Sequence, residues 1–193
     1  AVIKGANSST LTVTNNSGGT IQGTKKALNI GSGTGAQITN AGAITSTGNY
    51  AIHATGNTQT LTNSGTITAT EFGVNFTGAS SNIINSGEIF GTTTLAINIE
   101  GSSSTITNQS GGLIRAGDED STTNTHLLAI FIDDTGDNST INNYGTITAA
   151  RNAIKIGVDT LDVTINNYSG GVISATDDDG NKAAIQLNAS NAK

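Results

Sequence analysis

The chain contains no cysteine, methionine, proline or tryptophan. Without cysteine it can hold no disulfide framework, thiolate metal site or redox pair. Aromatic residues make up 4%, charged residues 11% and hydrophobic residues 34%, fractions too low for a domain packed around a broad core. No apolar run reaches membrane-spanning length, and the first residues are not those of a signal peptide. Basic residues are scarce, 8 against 14 acidic ones. The resulting formal charge of −6 argues against a nucleic-acid partner. The low overall charge equally argues against charge-driven disorder. Thr, Asn, Ser and 25 Gly fill the space instead, in 193 residues that fit one domain.

The reason is a repeat. Asn, a short turn, Gly, one residue and then Ile or a relative recurs as NNSGGTI (15–21), NAGAI (40–44), NSGTI (63–67), NSGEI (85–89), NQSGGLI (108–114), NYGTI (143–147) and NYSGGVI (167–173). The leading residues are Asn15, Asn40, Asn63, Asn85, Asn108, Asn143 and Asn167. Their spacings are 25, 23, 22, 23, 35 and 24 residues. Each copy predicts three short strands. The first carries Val13, Ile38, Leu61, Ile83, Ile106, Ile141 or Ile165 two residues before the Asn. The second centres on Ile21, Ile44, Ile67, Ile89, Ile114, Ile147 or Ile173, with Gly, Ser or Ala two residues on. The third carries an apolar pair at period two, Leu28/Ile30 through Ile185/Leu187. Period-two patterning marks strands with one buried face.

Three short strands per 22–25 residues predict an all-β fold, a right-handed parallel β-helix of about seven coils in a single segment 1–193. A narrow core takes aliphatic residues of one size, which accounts for the missing Trp. The Asn residues share the parity of the inward Ile and are expected to stack as an amide ladder at a corner.

TLTNSGTITAT (60–70) and TINNYGTITAA (140–150) resemble the passenger regions of bacterial autotransporters and related large secreted adhesins. The resemblance covers about Thr10 to Leu187. It implies export, display at the bacterial cell surface and a role in adhesion, with membrane attachment only through a translocation domain that is missing from this chain. The chain starts and stops part-way through the pattern, as a piece of a longer protein would.

Charge is uneven. Residues 1–110 are neutral on balance, and residues 111–193 carry the whole −6. Coils five and seven are enlarged at one corner by loops holding Asp118, Glu119, Asp120 and Asp177, Asp178, Asp179, with Arg151 on the short corner of coil six between them. Loops on a rigid scaffold are natural recognition sites. These seven residues, with Tyr144 and Tyr168 on adjacent coils, form the expected partner-binding set. The tyrosines would be either a packing pair or a platform for a sugar ring or partner side chain. The partner would be a host or cell-surface protein, a glycan, or another copy of the rod. At the next corner Asp133, Asp134, Asp137, Asp159 and Asp162 are the candidate calcium ligands, the one ion considered in a chain with no expected cofactor.

Two other functions would leave their own marks on such a fold. A polysaccharide lyase or hydrolase would gather acids and bases on a strand face. Here the outward third-strand row reads Asn29, His53, Asn75, Asn98, Phe131, Lys155, Gln186, the two histidines (His53 and His126) fall on coils two and five, and no serine-nucleophile motif is present. An ice-binding surface would show unbroken Thr-x-Thr ranks. Thr12/Thr14, Thr60/Thr62 and Thr105/Thr107 fit, but four of seven rows do not. The expected function is therefore a non-catalytic adhesive or stalk segment.

Overall fold

The computed structural model describes residues 3–5, 11–117, 127–176 and 183–187. Every described element is a strand or a turn. Each repeat folds into three strands, as in Thr12–Asn15, Thr20–Gly23 and Lys26–Ile30 for the first coil and Thr60–Asn63, Thr66–Ala69 and Phe72–Phe76 for the third. Equivalent strands of successive coils pair in parallel. They build two sheets of seven strands and a third of eight, which begins with Ile3–Gly5. The fold is the right-handed parallel β-helix that the repeat predicts.

Register follows the repeat. Ile83 sits between Leu61 and Ile106, Ile89 between Ile67 and Ile114, and Ile97 between Val74 and Ile130. These residues are fully buried and form one continuous core down the axis. Two buried small-residue columns make the tight corner between the second and third sheets. One is Ser46, Ala69, Gly91, Ala116 and Ala149, and the other is Ala27, Ala51, Ala96, Ala129 and Ala153. The columns face each other so closely that a Cβ on Gly91 would run into the Leu95 carbonyl. The second directly precedes the first inward residue of the third strand in these coils and is skipped by the strand register.

The amide ladder runs unbroken. Asn15, Asn40, Asn63, Asn85, Asn108 and Asn143 each donate through Nδ2 to Oδ1 of the Asn in the next coil, at 2.8–3.0 Å. Each Nδ2 also meets the carbonyl of a glycine in its own turn and a carbonyl of the coil above, such as Gly65 and Glu88 for Asn63. Asn40 through Asn143 are completely buried, so the ladder satisfies polar groups that water cannot reach. The adjoining turn comes in two lengths. In coils one, five and seven it holds an extra Gly at φ +77 to +84 (Gly18, Gly111, Gly170), closed by bonds such as Gly112 N–H to Gln109 C=O.

At the closing corner, between the third and first sheets, one backbone position is left-handed in every described coil after the first. It is Gly35, then Thr58, Ser80, Ser103, Asn138 and Asp162, all near φ +57 except the glycine at +77. From Gly35 to Asn138, each N–H donates to a carbonyl of the next coil, as Thr58 does to Ala79 at 2.8 Å. This continuity of interstrand bonding offsets the strain of a positive φ at non-glycine residues.

The seventh coil departs from the pattern. Ile185 and Leu187 are 39% and 63% exposed, because no described coil covers them.

Candidate binding surfaces

The three outward faces differ in chemistry. The first sheet presents the threonines, broken as expected by Gln37/Thr39, Asn82/Ile84, Thr140/Asn142 and Thr164/Asn166. The second sheet is also rich in Thr but carries a cluster that repeat-reading missed. Arg115 lies 3.5 Å over the Phe90 ring and ion-pairs with Glu88 of the previous coil. The three residues are neighbours only because coils four and five stack; in sequence they are up to 27 positions apart.

The third sheet carries four of the seven aromatic residues, Tyr50, Phe72, Phe76 and Phe131, beside His53, Lys26 and Lys155. Tyr50 and Phe72 stack with centroids 4.9 Å apart, and the Tyr50 ring meets His53 edge-on at the same distance. Lys26 Nζ lies 4.9 Å from the Tyr50 centroid. Asn98 Nδ2 donates to Asn75 Oδ1 at 3.2 Å and to Glu100 Oε1 at 3.0 Å. Asn49 Nδ2 donates to Glu71 Oε2 at 2.7 Å. Further along, Lys155 Nζ stands 5.7 Å from the Phe131 centroid.

The electrostatics of this face follow from burial. Burial first, and Lys26 second, lowers the His53 pKa below its ordinary 6.5. Burial and then Asp133 raise Glu100 above the usual carboxylate value, opposed by the Asn75 and Asn98 amides. Tyr50 is raised by burial and by the carboxylates of Glu71 and Glu100. Two polar atoms here are buried with no hydrogen-bond partner among the described residues: His53 Nδ1 and Asn98 Oδ1. A third, Gln59 Oε1, lies at the closing corner.

Tyr144 and Tyr168 stack on adjacent coils as expected, with centroids 4.2 Å apart and planes within 2°. They are 40% and 41% exposed. Val172, 48% exposed, starts the strand that follows the Tyr168 turn. Arg151 lies at the short corner of coil six, between Ala149 and Asn152. Asp118, Glu119, Asp120, Asp177, Asp178 and Asp179 lie outside the described residues, as does His126.

The second acidic corner has a structural use. Asp134 Oδ1 accepts from Val158 N–H at 2.8 Å, and Asp137 Oδ1 accepts from Leu161 N–H at 2.7 Å, so both tie coil five to coil six. Asp133 Oδ1 accepts from the adjacent Asp134 N–H. Asp162 occupies the left-handed position, and Asp159 is exposed. Among the described residues no three acidic or histidine side chains converge as a cation site requires.

No family model, curated protein or solved structure matches the chain.

Proposed function

We propose that the chain is a rigid, non-catalytic rod segment of a bacterial surface adhesin of the autotransporter passenger kind, contacting its partner through the outer strand faces and the corner loops of coils five to seven. The observation that carries this reading is the unbroken ladder of six Asn–Asn bonds, which locks seven coils into one register. Such a stack resists bending and slippage, because displacing one coil breaks the ladder and three rows of sheet bonds together. The first two sheets turn long rows rich in Thr outward, suited to many weak contacts along their length. Two carboxylates that a catalyst could have used, Asp134 and Asp137, are bonded to backbone instead.

Beads coated with the 193-residue chain test the reading. They should attach to host cells, to extracellular-matrix proteins or to each other, and pectin-like polymers should be left uncleaved. Attachment should fall when residues 117–127 and 176–183 are replaced by the short turn of coil six, with the fold intact. Beads that attach to nothing, or reproducible polymer cleavage abolished by Lys155→Ala, would sink the adhesive reading.

A further inference from the structure

The third sheet holds an unexplained cost. Asn98 is 7% exposed, and its Oδ1 finds no donor although its Nδ2 finds two acceptors. His53 Nδ1 is buried and unpartnered as well. Buried polar groups are almost always satisfied, so two on one short row ask for a reason. The strand register places His53, Asn75 and Asn98 side by side on coils two, three and four, so the two orphan atoms lie about 10 Å apart.

We propose that the outer face of the third sheet, from Tyr50 and His53 across Phe72 and Asn75 to Asn98 and Glu100, binds a neutral oligosaccharide whose hydroxyls supply the donors that His53 and Asn98 lack. The flanking charges select the class. Lys26 stands beside Tyr50 and disfavours a second cation at the His53 end. Glu100, with Asp133 in its field, disfavours an anion at the Asn98 end. A ligand with no net charge and several hydroxyl donors, such as a chain of sugar rings, can span both ends without opposing either charge. The span of two coil spacings suits a short chain of sugar rings rather than one small molecule. Tyr50 is the cover. Its ring is half-buried, meets His53 edge-on and stacks on Phe72, so swinging it outward uncovers the His53 end of the row. This inference rests on the adhesive reading and adds to it a ligand class for one of its faces.

The chain has three tyrosines and no tryptophan. The double variant Tyr144→Phe, Tyr168→Phe therefore reports on Tyr50 alone. Titrating it with a panel of neutral di- to hexasaccharides of glucose, galactose, mannose and N-acetylglucosamine should give a saturable change in tyrosine emission. Adding His53→Phe, which keeps the ring packing, or Asn98→Leu should weaken binding about tenfold or more, the loss of one well-made hydrogen bond. His53→Phe should melt no lower than its parent, since the buried nitrogen it removes, Nδ1, has no partner among the described residues. Ser17→Ala, in the exposed turn of the first coil, should leave binding unchanged. A silent panel overturns the proposal, as does binding that survives both third-sheet substitutions. Beads that still attach to host cells while the panel stays silent would refute the glycan site and leave the adhesive rod standing.

Discussion

Asn85 Nδ2 donates to Asn108 Oδ1 at 2.9 Å across 23 positions of chain, and both side chains are fully buried. The same nitrogen contacts the Gly87 and Leu113 carbonyls. Removing the amide takes a donor from several buried acceptors and takes from Asn63 Nδ2 its 2.8 Å acceptor. Asn85→Ala should lower stability by about 1–3 kcal/mol. Ser86→Ala, which removes only a part-buried hydroxyl contact at 3.3 Å to the Asn63 carbonyl, should cost much less. Urea denaturation of the two variants checks the order, and equal losses would mean the ladder adds nothing.

Two glycines of the ladder corner should behave in an unexpected order. Gly111 has φ +80 and open space around its missing Cβ, so Gly111→Ala should cost about 1–2 kcal/mol of backbone strain. Gly65 has no positive φ, yet a Cβ there would strike the Gly42 carbonyl of the coil below. No rotamer relieves a backbone clash, so Gly65→Ala should be the worse variant and broaden thermal unfolding. Melting curves showing Gly111→Ala as the more damaging would contradict this packing.

The left-handed column offers a stabilising change. Thr58 holds φ +57 with a β-branched side chain, where Asn138 holds +56 with a residue that tolerates it. Thr58→Asn should raise stability by up to about 1 kcal/mol, and Asn138→Thr should lower it by a similar amount. Denaturation midpoints that move the other way would rule out strain at this corner.

The third-sheet face should give stability a pH dependence of two signs. Glu100 has a folded pKa above its ordinary 4.5, so what it contributes is present below that value and lost as pH rises through the folded pKa. Glu100→Gln keeps the acceptor for Asn98 and removes the buried charge. It should melt higher than the parent at pH 7 and close to it at pH 4. His53 is lowered, so stability falls as pH drops through 6.5 toward its folded pKa, and His53→Phe should flatten that fall. Both groups are only partly buried, so the shifts should be small and best read as differences in melting temperature across a pH series. Identical profiles for parent and variants would show that the face does not couple to folding.

Much of this molecule was legible without coordinates. Strands pair in register along a parallel solenoid, so any two residues at one repeat position become neighbours. Aligning seven copies was therefore enough to place Ile83 on Leu61, Asn85 on Asn63 and Tyr168 against Tyr144. The alternation of inward and outward positions likewise set the core and broke the threonine ranks.

Tertiary structure alone decided what happens across rows and at corners. The left-handed position falls on Gly, Thr, Ser, Asn and Asp, a set with no single residue type to flag it. The roles of Asp134 and Asp137 depend on which backbone N–H of the next coil their carboxylates reach, so residues grouped by charge in the sequence became interstrand rungs. Tyr50 and Phe72 stack because the register pairs them, whereas the contacts of Tyr50 with His53 and of Asn98 with Glu100 join different repeat positions through the reach of the side chains. Repeat spacing determines which backbones are adjacent; the reach and packing of each side chain determine what those neighbours become.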